Sequence, residues 1–115
     1  MKKISNFLNL GKDVFVFGQF KGLSISLNFD SFDEYKKIKN KISKAKIIKH
    51  IESLQPLCLC PTPAFDMFTN ERLLSPGYYK DGDFVFPIEF LHYYKKYDIG
   101  VPKEYEEYIK TVRGI

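Results

Sequence analysis

The spacing of apolar residues changes at Ser31, and this change restricts the chain to a mixed fold. Before Ser31, Leu23, Ile25 and Leu27 alternate with polar residues, and a period of two is typical of a β-strand. After it, apolar side chains recur at intervals of three or four residues from Phe32 to Ile51, as in an amphipathic helix. The two periods together predict an α+β fold.

The residues before Ser31 predict an N-terminal β-hairpin. Two alternating apolar runs lie between Asp13 and Phe29, and Gly18 and Gly22 bracket the expected turn. The first residues begin with two lysines, as a secretory signal does, but Asn6 and Asn9 interrupt the apolar run. We therefore expect a short amphipathic helix or strand there, and no signal peptide.

A long, lysine-rich amphipathic helix is predicted from Ser31 to Leu54. Ser31 and Glu34 match a capping box at its start, and Pro56 follows its end. The segment holds three acidic residues and seven lysines, and it accounts for the whole formal net charge of +4. The lysines are Lys36, Lys37, Lys39, Lys41, Lys44, Lys46 and Lys49.

The remaining residues predict further short strands and two C-terminal helices. An edge strand or extended segment is expected from Pro56 to Pro63, a tight turn at Asp81–Asp83 and a short strand after it. The helices are expected at about 87–98 and 102–112, because proline suits a first helical turn and glycine follows each segment. With 115 residues, residues 1–115 are expected to form a single domain.

Candidate metal ligands and catalytic groups are few. Cys58, Cys60, His50 and His92 match the inventory of a zinc site, but their spacing differs from the usual paired ligands. Glu89 and His92 form half of the motif that di-iron bundles use twice. The sequence contains no nucleophile elbow and no glycine-rich phosphate loop. We therefore expect no catalytic residue, no metal and no cofactor.

The lysine-rich segment allows two interpretations. Its cations resemble a face that neutralises nucleic-acid phosphates, so a small nucleic-acid-binding protein that uses Lys36 to Lys49 is one hypothesis. The segment contains no arginine, and no aromatic residue lies between its lysines to stack on a base. A solvated face, or a contact with an acidic protein, is the favoured interpretation.

The C-terminal third is rich in tyrosine and charge. The chain has eight tyrosines and no tryptophan, and tyrosine is costly to bury without a partner for its hydroxyl. Aromatic residues beside charges are common at protein interfaces. This composition favours a protein that binds another protein.

The segment "GDFVFPIEFLHYYKKYDIGVPKEYEEYIK" combines a short strand, a proline-led helix with paired tyrosines and a V-P-x-E-Y helix. In this it resembles small bacterial immunity proteins of contact-dependent growth inhibition and related polymorphic toxin systems. The resemblance implies a cytoplasmic antitoxin that binds and occludes a cognate toxin domain, of nuclease type, without catalysis and without a membrane partner. The residues expected at that interface are Tyr78, Tyr79, Asp81, Asp83, Tyr93, Tyr97, Glu104 and Glu107.

Overall fold

A five-stranded mixed sheet forms the centre of the molecule. A computed structural model describes residues 1–21, 29–59, 64–73 and 77–115. In spatial order the strands are β1 (Lys2–Ser5), β2 (Asp13–Val16), β7 (Phe84–Pro87), β6 (Gly77–Asp81) and β3 (Pro56–Leu59). The pair β2 and β7 is parallel, and the other neighbouring pairs are antiparallel. A second, two-stranded sheet pairs β4 (Ala64–Phe65) with β5 (Arg72–Leu73).

Four α-helices accompany these sheets. They are α1 (Phe32–Lys36), α2 (Lys44–Glu52), α3 (Ile88–Lys96) and α4 (Lys103–Val112). The α+β prediction is confirmed. The two C-terminal helices are also found where they were expected, each preceded by its proline. Gly82 adopts a left-handed φ of 62° in the turn between β6 and β7, as the sequence predicts.

The N-terminal hairpin exists, but its strands differ from the prediction. Its two strands are β1 and β2, with Ile4 opposite Val14. The predicted second strand, residues 23–28, lies outside the described residues. Because β2 also pairs with β7 through Phe15 and Phe84, it is an inner strand of the sheet. An inner position explains why Val14 and Val16 are both fully buried.

The prediction of one long helix from Ser31 to Leu54 is wrong. Helix α1 ends at Lys36, and α2 begins only after Ser43, whose side chain accepts a hydrogen bond from the Lys46 amide. Ser31 does lie at the start of α1, but its hydroxyl makes no capping hydrogen bond. The lysines therefore do not form one continuous helical face.

The core lies between the sheet and the helices and is strongly aromatic. Phe17 is at its centre, with its ring stacked on Phe86 at 4.7 Å and within 5.2 Å of the rings of Phe90 and Tyr105. Ile47 and Ile51 of α2 are also fully buried against this cluster. The opposite face of the sheet buries a smaller set of valines from β2 and β7. This packing holds α3 and α4 firmly, and both helices carry residues of the candidate site.

Candidate functional site

Asp81, at the end of β6, is the acceptor of a buried hydrogen-bond cluster. His50 Nε2 lies 2.7 Å from its Oδ2, and the Tyr105 hydroxyl donates to the same oxygen at 2.8 Å. Arg113 donates to Oδ1 through two nitrogens, at 3.0 and 2.7 Å. Burial alone would raise the pKa of Asp81, but these hydrogen bonds outweigh it and hold the pKa below its usual range. The cluster connects β6 to α2 and α4.

Asp66, which follows β4, is the centre of a second cluster. It accepts from His92 Nε2 at 2.7 Å and from the Tyr97 hydroxyl at 2.9 Å. The backbone amides of Phe68 and Thr69 donate to its other oxygen at 2.7 and 3.0 Å. Burial would raise the pKa of Asp66, but these donors hold it well below its usual range. The cluster fixes the loop after β4 against α3.

Both clusters contain an aspartate–histidine pair, the arrangement that orients an imidazole for general-base catalysis. A catalytic pair also needs a nucleophile or substrate proton within hydrogen-bond reach. Among the described side chains, neither His50 nor His92 has a hydroxyl partner. In each histidine, Nε2 forms a hydrogen bond with an aspartate. The geometry therefore favours a structural role for both pairs.

Glu89 and His92, the half-motif of the sequence, border a cavity of about 540 Å³ between α3 and β5. Both carboxyl oxygens of Glu89 are buried, and neither has a hydrogen-bond partner among the described residues. Burial raises the pKa of Glu89.

Of the candidate zinc ligands, His50 and His92 each contact a different aspartate. The side chains of Cys58 and Cys60 lie outside the part of the chain that the structure describes. Across 1–21, 29–59, 64–73 and 77–115, no three histidine, cysteine or acidic side chains are grouped as metal ligands would be.

Two residues expected at a partner surface need correction. Tyr93 is fully buried, and its hydroxyl accepts from the Met67 amide at 2.9 Å. Asp81 is 1% exposed and is occupied by its three donors. Neither side chain can contact a partner while the fold is intact, because each is enclosed by packing from distant parts of the chain.

The other tyrosines expected at the interface are half-buried. The Tyr78 hydroxyl accepts from Gln19 at 2.9 Å, and Tyr79 packs on Phe86. Tyr97 presents part of its ring on the surface while its hydroxyl contacts Asp66. Tyr97 lies beside the strongly exposed ring of Phe68.

The predicted acidic residues that remain exposed are Asp83, Glu104 and Glu107. Asp83 lies in the β6–β7 turn and pairs with Lys12 at 2.8 Å. Glu104 and Glu107 lie three residues apart on the outer face of α4. These acids are accessible, but they lie on two separate elements.

Phe32, Phe68 and Tyr97 form an aromatic cluster at the surface, which we name the three-ring patch; Phe68 is exposed and the other two rings are half-buried. Phe68 is 55% exposed, and its ring centroid lies 4.9 Å from that of Phe32 and 5.1 Å from that of Tyr97. Lys36 lies over the Phe32 ring and Lys96 over the Tyr97 ring, at 5.5 and 5.8 Å. An apolar centre bordered by charge is the usual anatomy of a protein interface.

The three-ring patch is held in a fixed arrangement from below. Asp66 bonds both the Phe68 amide and the Tyr97 hydroxyl, so one buried carboxylate positions two of the three rings. Tyr93 lies beneath, with its ring centroid 6.3 Å from that of Phe68. The patch is therefore fixed by hydrogen bonds and packing within the fold, and such preorganisation lowers the entropic cost of binding for surfaces that bind.

Sequence reasoning found Tyr97 but missed Phe32 and Phe68. Phe32 matched the apolar stripe of the predicted helix, and Phe68 lay in a segment of ambiguous structure. Asp66, Thr69 and Asn70 are residues common in turns, and sequence reasoning could have used them as a turn signal. No pattern in the chain shows that the rings of Phe32, Phe68 and Tyr97 meet.

No protein-family model, curated protein or solved structure matches this chain. None of the helices in the described ranges combines the length and apolar character that crossing a bilayer requires.

Proposed function

We propose that this protein is an immunity protein that binds a cognate toxin domain and neutralises it by direct occlusion. The observation that carries the proposal is the three-ring patch, in which Phe68 is more than half exposed on an ordered aromatic base. Large apolar side chains that are fixed and exposed are costly to leave in water, and they are the residues that dominate protein binding energies. The resemblance of the C-terminal segment supplies the class of partner.

The chemistry of the two histidines supports binding over catalysis. His50 and His92 are each committed to a buried aspartate. These two imidazoles, which an enzyme could use as general bases, are thus occupied in holding the fold. We propose that the protein has no catalytic activity of its own and acts in the cytoplasm, where a nuclease toxin would find its substrate.

In the proposed contact, Phe68 enters a pocket of the toxin domain, and Phe32 and Tyr97 contact the surface around that pocket. Lys36 and Lys96 lie at the edge and would face acidic or polar groups on the partner. Glu104, Glu107 and Asp83 lie on other elements and are assigned no part in this central contact.

The test first asks whether the neighbouring upstream gene encodes a large secreted protein, as the proposal predicts, and then uses the C-terminal domain of that protein. Co-expression of wild-type protein should protect growth against that domain, and Phe68→Ala should abolish protection. Val112→Ala is the matched control, since Val112 is an apolar side chain that is 60% exposed on α4. Equal protection by both variants would remove the three-ring patch from the interface. No protection by wild-type protein would overturn the proposed function.

A further inference from the structure

A second surface, separate from the three-ring patch, concentrates positive charge. A cleft of about 680 Å³ lies between the segment that links α1 to α2, the start of α2, and α4. Its charged lining consists of five lysines and two glutamates: Lys39, Lys41, Lys46, Lys103, Lys110, Glu106 and Glu107. Lys39 and Lys41 lie in the break between α1 and α2, and they line the cleft together with Lys46 of α2 and two lysines of α4.

One of the two glutamates is already committed to the fold. The Glu106 carboxylate accepts from the Lys41 and Ile42 amides at 2.6 and 2.9 Å. Burial would raise the pKa of Glu106, but these hydrogen bonds outweigh it and lower the pKa. Glu106 therefore stabilises the linking segment, and Glu107 is the other acid in the lining.

The lysines of the cleft contribute little to stability. The described residues provide one ion pair for them, between Lys39 and Asp98 at 4.0 Å, and the Asp98 side chain is 97% exposed. Exposed pairs of this kind contribute at most about 1 kcal/mol. Lys44 behaves differently, because its Nζ donates to the Tyr97 carbonyl and lies over the Tyr94 ring. The five lysines outnumber the two glutamates of the lining, and an anionic ligand would reduce the repulsion among the lysines.

The lining identifies the class of anion. It contains no aromatic ring on which a base could stack and no arginine to bind phosphate with two parallel hydrogen bonds. It does contain Ile42, Ile115 and Ser43 among the lysines. Carboxylates can meet flexible ammonium groups in many geometries, and the isoleucines offer contact to an apolar side chain.

We propose that this cleft binds an acidic polypeptide segment that carries at least one apolar side chain. The lysines hold its carboxylates, and Ile42 with Ile115 contacts the apolar residue. The site goes beyond the three-ring patch and does not require it. A toxin domain or another acidic protein could supply the segment, but the recognised chemistry is the same.

The test measures binding of a labelled glutamate-rich peptide that contains leucine, by fluorescence anisotropy at low salt. The double variant Lys41→Gln, Lys110→Gln should bind about tenfold more weakly than wild type. The matched control is Lys21→Gln, Lys37→Gln, which removes the same charge from two exposed lysines outside the cleft. It should bind within about twofold of wild type, since only long-range attraction changes.

Three results would overturn the proposal: no binding of the peptide, an equal loss in both double variants, or tighter and cleft-dependent binding of an oligouridylate of equal charge. The last result would assign the cleft to nucleic acid. The protein could bind the peptide and still fail to protect against the toxin domain. That result would support the proposed cleft site and contradict the proposed function.

Discussion

At the residue scale, Asp81 and Asp83 lie two positions apart but have opposite environments. The sequence gives no reason to separate them, since both flank Gly82 in one acidic turn. Asp81 is enclosed because His50 and Arg113, 31 and 32 residues away, converge on it. Tyr93 is buried for a similar reason, because the loop after β4 covers it. Exposure at these positions depends on distant partners, which local patterns do not reveal.

Asp81→Ala should therefore lower the stability of the fold. It should not remove a direct contact with a partner. The change leaves the Tyr105 hydroxyl and His50 without their acceptor, and we expect a loss of about 3 kcal/mol in the free energy of unfolding. Asp83→Ala is the control and should cost at most about 1 kcal/mol, because its pair with Lys12 is exposed. Urea denaturation of both variants checks this, and equal losses would contradict it.

Glu89 should make the stability of the protein depend on pH in the direction opposite to Asp66 and Asp81. Burial raises the pKa of Glu89 above the value that this residue has in the unfolded chain. The protonated carboxyl therefore favours the folded state at low pH. That stabilisation is lost as the pH rises from about 4.5 through the folded-state pKa. The two aspartates have lowered pKa values, and their contribution is lost as the pH falls below about 3.8.

The variant Glu89→Gln cannot ionise and should be more stable than wild type at neutral pH by at least about 1 kcal/mol. The difference should shrink toward pH 4, where the wild-type carboxyl is protonated in both states. Both proteins retain Asp66 and Asp81. The loss of stability that these aspartates cause at low pH therefore cancels when the two proteins are compared. Urea titrations across this pH range provide the measurement, and a constant difference between the two proteins would contradict the assignment.

At the element scale, local signals predicted the C-terminal helices and failed for the lysine-rich segment. Pro87 and Pro102 mark the starts of α3 and α4 by a rule that needs no distant partner. The break after α1 contains no proline or glycine. It is stabilised by Asn40, whose side chain pairs with both the amide and the carbonyl of Val101, and by Glu106. The helical spacing of apolar residues therefore continues in the sequence through the residues between α1 and α2, whose backbone is not helical.

Removing one of these distant contacts should destabilise the non-helical segment between α1 and α2. Asn40→Ala leaves the backbone groups of Val101 unpaired in a partly buried position, and we expect a loss of about 1–3 kcal/mol in unfolding free energy. Lys39→Ala changes an exposed neighbour in the same segment and should lie within about 0.5 kcal/mol of wild type. Thermal denaturation of the two variants tests this prediction. A loss in Asn40→Ala no larger than that in Lys39→Ala would show that the break does not depend on Val101.

At the scale of the whole molecule, the alternating and helical periods were enough to predict an α+β fold. They did not predict that β2 pairs in parallel with β7, across some 70 residues, since strand order depends on which faces pack together. The same limit applies to the three-ring patch. Its rings come from the start of α1, the loop after β4 and the end of α3, and only the assembled core brings them together.

Calorimetric titration of the neighbouring toxin domain into the purified protein tests the central claim, that Phe68 anchors a partner-binding surface. Wild-type protein and Val112→Ala should bind with equal affinity, and Phe68→Ala should bind at least about thirtyfold more weakly, as expected for an interface anchor. Unfolding curves should show that both variants remain folded, because both side chains are exposed. Affinity that Phe68→Ala leaves unchanged would contradict the account.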